Sequence, residues 1–340
     1  MSEIPFIDPR LPLIDLHRHL DGSVRLETVL ELADQQGIDL PASDVAGLRP
    51  HVVIEGRASS LMDFIGRFRY LTAILHDLDA CRRVAYENVE DARNEGIDYI
   101  ELRFSPWFMS ETHDLDPAGV VEAVADGIKA AERDTGVRAQ MIGIMSRTYD
   151  TETCHRELDA LLAHRDHLVA IDLAGDEVKF PASRFQEHFR RARDAGLEVT
   201  VHAGEADGPE SVWSAIRELG ATRIGHGIHS LRDPGLVEYL VEHRIGLEVN
   251  ITSNIHTGIV HDYEDHPVRE IFELGLLANL NTDDPAISGI DLPHEYEQAA
   301  RAAGLTPQMT RQSQLNALEM AFLPAEEKRK LLQKKQNCKF

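Results

Sequence analysis

Residues 197–227 read LEVTVHAGEADGPESVWSAIRELGATRIGHG in one-letter code, and this stretch decides the fold. A short apolar run, Glu198–His202, is followed by a longer amphipathic segment, Gly208–Leu219, then by Gly220 and a second apolar run, Arg223–His226. Glycine just past a helix readily takes the left-handed conformation that ends it. The stretch therefore predicts a strand, a helix and a second strand parallel to the first, which is the βαβ unit of α/β proteins.

The same alternation runs along the rest of the chain. Eight apolar runs are candidate strands: Leu13–His17, Tyr99–Phe104, Gln140–Met145, Val169–Leu173, Glu198–His202, Arg223–His226, Gly246–Asn250 and Leu277–Asn281. The predicted helices include Ala80–Glu95, Pro117–Thr135, Ser183–Ala195, Gly208–Leu219 and Asp233–Glu242, and glycine precedes the next strand at Gly96, Gly136, Gly196, Gly220 and Gly275. Eight βα units predict a closed (β/α)8 TIM barrel, with an open doubly wound sheet as the alternative. No linker or break in composition divides the chain, so we expect residues 1–340 to form one catalytic domain.

The segment between the first and second predicted strands is unusually long. Within it, Leu61, Phe64, Ile65 and Phe68 fall at i, i+3, i+4 and i+7, which is one face of a helix. A stripe packed on the core is the simplest interpretation of this spacing, and an apolar lid over a binding pocket is the functional one.

The composition narrows the possible partners. There are 58 acidic residues against 35 Lys and Arg, a net charge of −23, so nucleic acid would be repelled while a neutral small molecule would not. The three cysteines, Cys81, Cys154 and Cys338, are far apart, which argues against a disulfide framework and a cysteine zinc site. We expect a cytoplasmic protein with no signal peptide and no membrane segment. The sequence leaves the oligomeric state open.

Four short motifs place reactive side chains at the ends of predicted strands. They are His17-Arg18-His19, His202-Ala203-Gly204-Glu205, Gly225-His226-Gly227 and Asn281-Thr282-Asp283-Asp284-Pro285, after strands one, five, six and eight. Each motif alone has an ordinary interpretation, such as a tight turn or a helix N-cap. Barrel enzymes, however, build their sites at this end of the strands. Three imidazoles, a carboxylate and a water are typical of catalytic zinc, although iron or manganese would accept similar ligands. Together the motifs predict a metal-dependent hydrolase.

With Leu20-Asp21-Gly22-Ser23, Ser105-Pro106 and Asp172-Leu173-Ala174-Gly175-Asp176-Glu177, these motifs resemble the adenosine deaminase family of bacterial type, from about residue 11 to about residue 330. The resemblance implies hydrolytic deamination of adenosine, and of 2′-deoxyadenosine, to inosine and ammonia. It implies one zinc ion per chain, bound by His17, His19, His202 and Asp283.

The resemblance also implies roles for individual residues. Glu205 would donate a proton to N1 of the purine, and His226 would orient and help deprotonate the attacking water, with Asp283 as a third catalytic residue. The implied substrate contacts are His19, Asp21 at the ribose 5′-hydroxyl, Gly175 at N3, Asp284 at N7, and the apolar lid of Leu61, Phe64, Ile65 and Phe68.

One position departs from the family pattern. Many members carry Cys-Pro where this chain has Asn250-Ile251, which bears on local packing and on one substrate contact. Asp21 favours a nucleoside, because adenine-specific relatives tend to carry Glu there. A deaminase of adenine or of a modified adenosine, and an inactive barrel that only binds nucleoside, are the alternatives.

Overall fold

The computed structural model describes residues 4–59 and 61–337, apart from the side chains at positions 61 and 62. The lid prediction for the Leu61 side chain, and Cys338, therefore lie outside the described residues. Eight strands form the sheet: β1 (Ile14–His19), β2 (Tyr99–Phe104), β3 (Arg138–Ser146), β4 (Leu168–Ala174), β5 (Glu198–Ala203), β6 (Arg223–His226), β7 (Gly246–Val249) and β8 (Ala278–Leu280).

Each strand pairs in parallel with the next one along the chain, from β1 to β8. The sheet then returns on itself, because Asp283, just past β8, bridges Arg18 of β1. The His19 N–H donates to the Asp283 carbonyl and the Asp283 N–H donates to the His17 carbonyl, both at 2.8 Å. The TIM barrel is confirmed, and the open-sheet alternative is wrong. The barrel closes at three of the predicted metal ligands, His17, His19 and Asp283.

Helices cover the outside of the sheet and build the loops above it. The α-helices are α1 (Leu26–Gln36), α2 (Val45–Val52), α3 (Leu61–Ile65), α4 (Phe68–Thr72), α5 (Leu78–Asn94), α6 (Pro106–Ser110), α7 (Pro117–Thr135), α8 (Thr151–Ala163), α9 (Gln186–Asp194), α10 (Pro209–Ser214), α11 (Pro234–His243), α12 (Ile251–His256), α13 (Val268–Glu273), α14 (Pro285–Ser288), α15 (Leu292–His294), α16 (Ala300–Ala302), α17 (Pro307–Met320) and α18 (Ala325–Asn337). Single turns of 3₁₀ or π-helix are Glu111–His113, Arg165–His167, Ala182–Phe185, Ala215–Leu219, Ile228–Arg232, Tyr263–Asp265 and Glu295–Ala299. No helix in the described part of the chain is long and apolar enough to span a bilayer.

The predicted strands all form, each within two residues of its expected bounds. The predicted helix stops also hold, as at Gly136, which follows α7 with a φ of 73°. An amphipathic segment between Gly208 and Leu219 is helical as expected, but its second half, Ala215–Leu219, is wound as a π-helix.

The lid differs from its prediction in one respect. The single helix face expected over 61–68 is divided into α3 and α4, which are separated by Gly66 and Arg67. Glycine is a poor helix former, and the Arg67 guanidinium donates to the Pro50 and His51 carbonyls at 2.9 and 3.0 Å, which holds the break in place. Phe64 and Phe68 are nevertheless both buried, as an apolar lid requires.

Candidate active site

Four side chains converge at the C-terminal end of the barrel. The Nε2 atom of His202 lies 3.1 Å from Nε2 of His17 and 3.2 Å from Nε2 of His19. Oδ1 of Asp283 lies 3.2 Å from the same two nitrogens of His17 and His19. These are the four ligands that the family resemblance implies, and they are contributed by β1, β5 and the residues just past β8.

The hydrogen bonds behind these rings determine which nitrogens carry protons. Nδ1 of His17 donates to Glu248 Oε2 at 2.7 Å, and Nδ1 of His202 donates to Asp172 Oδ2 at 2.9 Å. Burial lowers the pKa of His202 to about 4, so its ring is neutral and carries a single proton. This leaves the Nε2 lone pair of His202 facing Nε2 of His17 at 3.1 Å and Nε2 of His19 at 3.2 Å. A cation held among these three nitrogens and the Asp283 carboxylate would accept that lone pair.

The separations fit a tetrahedral metal site. Zinc bonds to nitrogen and oxygen of 2.0–2.1 Å place ligand atoms about 3.3 Å apart at the corners of a tetrahedron, close to the 3.1–3.2 Å observed. His226 also falls within 4.8 Å of His17, His202 and Asp283. Its Nε2 is 3.7 Å from the nearer Asp283 oxygen, so the shorter separations favour His19 as the third imidazole.

The backbone is strained at two predicted site residues and closely approached at a third position. His226 and Asp283 have φ angles of 62° and 64°, a conformation that is strained for residues other than glycine and is common at functional sites. Gly225, beside His226, leaves space for a neighbouring ring: a Cβ there would lie 2.9 Å from Cε1 of His17 and 3.3 Å from Cα of His202. The absence of a side chain at Gly225 therefore lets the imidazole of His17 approach the backbone closely.

Arg103 connects the two carboxylates that hold the histidines. Its guanidinium donates to Asp172 at 2.8 Å and to Glu248 at 2.7 Å, and all three side chains are fully buried. Burial would raise the pKa of Glu248, but the charges of Arg103 and Arg223 and the hydrogen bond from His17 hold it well below its usual range. The sequence motifs gave no role to Arg103 or Glu248. The available signal was the presence of charged residues within fully buried strands.

The predicted substrate residues line two connecting cavities above the ligands. The first has a volume of about 80 Å³, and the predicted residues on its wall are His19, Phe64, Ile65, Phe68, Gly175, His202, Glu205, His226, Asp283 and Asp284. The second has a volume of about 200 Å³ and shares His19, Ile65, Phe68, Ala174 and Gly175 with the first, adding Asp21 and Ser105. Apart from the Leu61 side chain, every predicted site residue lines one of these cavities, except His17, which contacts His202 on the wall of the first.

Asp21 and Asp284, two of the predicted substrate residues, each have a carboxyl oxygen without a hydrogen-bond partner among the described residues. Oδ1 of Asp21 and Oδ1 of Asp284 are buried and accept no hydrogen bond from the described residues. Burial raises the pKa of both groups, and for Asp284 the neighbouring charge of Asp283 raises it further. Buried polar atoms left without partners are costly, so these atoms are suited to a polar ligand.

Glu205 is a buried acid on a fixed loop. Burial, and then the charges of Asp283, Glu177 and Asp284, raise the pKa of Glu205 well above its usual value, which favours its protonated form. The Glu177 carboxylate accepts the backbone N–H groups of Gly204 and Ala206 at 2.6 and 2.8 Å, and it also accepts the Ser211 hydroxyl. The sequence motif that contains Glu177 gave this residue no role of its own. In the structure its hydrogen bonds hold the loop that carries Glu205.

The family model described as adenosine deaminase matches residues 12–337. The chain belongs to the adenosine deaminase family. The adenosine deaminase of Vibrio parahaemolyticus is 57% identical over 328 residues, covering 96% of this chain and 98% of that protein.

Solved structures agree with the family assignment. An adenine deaminase from Arthrobacter aurescens superposes with a TM-score of 0.89 at 27% identity, covering 96% of this chain and 98% of that one. An amidohydrolase from Burkholderia ambifaria with bound zinc superposes with a TM-score of 0.83 at 27% identity, covering 95% and 88%.

Asn250, which departs from the Cys-Pro pattern of many family members, lies beside His226. Asn250 is fully buried, and its Nδ2 lies 3.3 and 3.4 Å from the two ring nitrogens of His226. The residues that line the two cavities do not include Asn250. The Asn250 side chain therefore packs against His226.

Replacing Arg103 with methionine should strongly destabilise the protein. Asp172 and Glu248 would stay buried without their shared cation, and breaking such a pair costs about 3–5 kcal/mol. Urea unfolding measures the change, with Arg10→Met as the control, since Arg10 is 71% exposed and pairs with Asp8 at the surface. An effect of Arg103→Met as small as that of the control would contradict a central role for this network.

Proposed function

We propose that this chain hydrolyses adenosine, and 2′-deoxyadenosine, to inosine and ammonia with one zinc ion. The substrate is a small purine nucleoside, and neither nucleic acid nor a membrane takes part. The observation that carries the proposal is a buried Glu205 with a raised pKa, on the wall of the same cavity as His19, His202 and Asp283. We further propose that residues 1–340 act as one catalytic domain, since one apolar cluster extends from Phe6 to Leu305 among the described residues.

We assign the zinc ion to His17, His19, His202 and Asp283. The support is that the Nε2 atoms of His17 and His202 face each other, and that the separations among the four side chains match a tetrahedral site. Bound there, the metal would supply a water molecule made acidic enough to act as a nucleophile near neutral pH.

Glu205 is proposed to protonate N1 of the purine. Attack at C6 breaks the aromaticity of the ring and builds negative charge at N1, and a proton delivered there removes that charge. The raised pKa of Glu205 keeps the proton on the carboxyl group until the substrate arrives. His226 is proposed to orient the attacking water, since its Nε2 lies 3.7 Å from both Glu205 and Asp283.

The remaining polar groups are proposed to position the nucleoside. With its raised pKa, Asp284 can donate an O–H to N7, and the Gly175 N–H would contact N3. Asp21 would bind the ribose 5′-hydroxyl in the second cavity, where its Oδ1 has no partner among the described residues. His19 completes the wall shared by both cavities.

The lid is proposed to exclude water from the purine. Phe64, Ile65 and Phe68 line the first cavity with apolar surface, and we extend the proposal to Leu61 from its place in α3. Excluding water strengthens the electrostatic interactions inside the site and limits side reactions.

Adenine is the second candidate substrate, because the Arthrobacter aurescens protein is an adenine deaminase with the same fold. The second cavity, of about 200 Å³, has the Asp21 carboxyl group on its wall. This additional space favours a substrate that carries a ribose. We expect kcat/KM to be highest for adenosine, comparable for 2′-deoxyadenosine and far lower for adenine, as measured by ultraviolet absorbance. Faster turnover of adenine would refute the nucleoside assignment.

Substituting Glu205→Gln should separate binding from chemistry. The variant should retain its metal and bind purine nucleoside, because the amide keeps the shape of the side chain. Its kcat should fall by about 10²-fold or more, the range typical of a lost general acid. Glu210→Gln, at an exposed position in the same segment, is the control. An unchanged rate for Glu205→Gln would rule out the proton-donor role.

The ligand assignment predicts metal loss. His17→Ala and Asp283→Ala should each lower the zinc content of the purified protein well below one per chain, as measured by elemental analysis. His243→Ala, at an exposed position on α11, should leave it unchanged. If both ligand variants keep one zinc per chain, the ligand set is wrong.

A further inference from the structure

The far side of His226 is lined by side chains to which the proposed chemistry gives no role. Nδ1 of His226 lies 2.9 Å from Nδ2 of Asn254, which is on α12. Oδ1 of Asn254 lies 3.2 Å from Nε2 of His266, in the segment just before α13. All three side chains are buried, and neither Asn254 nor His266 lines the substrate cavities.

A backbone group fixes the direction of this chain of hydrogen bonds. The Val268 N–H donates to Nδ1 of His266 at 3.1 Å. A backbone N–H can only donate, so Nδ1 of His266 is unprotonated and its Nε2 carries the proton. Burial lowers the pKa of His266 to about 3, in keeping with a neutral ring.

The assignment of donors and acceptors then extends from His266 through Asn254 to His226. The protonated Nε2 of His266 donates to Oδ1 of Asn254, which leaves the amide N–H₂ of Asn254 facing His226. That amide donates to Nδ1 of His226, so Nδ1 has no hydrogen and the ring proton is on Nε2, the atom that faces the site. Each bond in the series follows from the one before it.

We propose that Asn254 and His266 are positioning residues that hold His226 in the tautomer with its proton on Nε2. This inference rests on the proposed function for its meaning in catalysis. Held this way, His226 offers the attacking water a hydrogen-bond donor and has no free lone pair toward it.

The tautomer changes the role first expected of His226. An Nε2–H group cannot accept a proton, so His226 orients the water and does not deprotonate it. The proton released as the oxygen bonds to C6 then passes to a carboxylate. Glu205 becomes one when its own proton moves to N1, and it lies 3.7 Å from His226 Nε2.

Nitrogen NMR of the zinc-loaded enzyme tests the assignment without turnover. The protein is labelled with ¹⁵N at histidine, and the His226 signals are identified by their loss in His226→Gln. Couplings to the ring protons show which nitrogen bears hydrogen. We expect Nε2 to be protonated and Nδ1 to be bare. A proton on Nδ1, on its own or together with one on Nε2, would overturn the proposal.

Asn254→Asp reverses the polarity with little change of shape. An ionised aspartate has only acceptor oxygens, so Nδ1 of His226 should become protonated and Nε2 bare. We expect kcat to fall by at least about tenfold, a change of 1.4 kcal/mol in the barrier, with KM little changed because Asn254 is outside the cavity. A folded Asn254→Asp protein whose His226 pattern matches wild type would show that Asn254 does not set the tautomer.

A pair of substitutions at His266 tests the outer residue independently. The amide N–H of His266→Gln can still donate to Asn254 Oδ1 and should preserve the wild-type His226 pattern and kcat. His266→Leu removes the donor and should give a mixture of both tautomers with a lower kcat. Identical spectra for the Leu and Gln variants would refute the role of His266. An enzyme with the expected His226 pattern that leaves adenosine unchanged would refute the proposed function and support the tautomer assignment.

Discussion

The imidazoles of His17 and His202, whose Nε2 atoms face each other at 3.1 Å, are the constraint on which the rest of this site depends. Hydrogen bonds to the other nitrogen of each ring hold them in this arrangement. Glu248 and Asp172 accept the Nδ1–H groups, and Arg103 bridges the two carboxylates. Hydrogen bonds of this kind behind metal-binding histidines fix the ring orientation and the tautomer. The barrel also closes here, since Asp283 joins β8 to β1 through paired backbone hydrogen bonds. The residues that close the sheet are therefore also predicted metal ligands.

Two buried glutamates near the predicted ligands have pKa values shifted in opposite directions by their charged neighbours. Buried arginines hold the pKa of Glu248 well below its usual range, whereas neighbouring carboxylates help to raise that of Glu205. We therefore propose opposite roles for them, Glu248 as a fixed charge that orients His17 and Glu205 as an acid. His226 follows the same logic, because its protonated nitrogen is selected by a chain of hydrogen bonds that begins at the Val268 backbone.

Sequence patterns predicted the strands and the ligands because both leave local signals. Apolar runs that end in polar motifs marked each strand, and the His17 and His19 spacing placed two imidazoles on one side of β1. Arg103 and Glu248 escaped notice because the distance that matters, 2.7 Å, joins residues 145 positions apart. No sequence motif marked His266, because its contact with Asn254 is formed only in the folded chain. The lid helix was predicted as one element, since its apolar spacing outweighed Gly66 and gave no sign of the Arg67 contacts that divide it. The roles of Asp21 and Asp284 came from the family resemblance alone, and their unpartnered oxygens give those roles a physical basis.

Anomalous X-ray diffraction from crystals of the purified enzyme, with data collected on both sides of the zinc absorption edge, tests the proposed metal site most directly. We expect one zinc peak per chain, with about 2.0–2.2 Å separating it from Nε2 of His17, His19 and His202 and from an oxygen of Asp283. A site with His226 in place of His19, or full activity in crystals that contain no metal at this position, would contradict it.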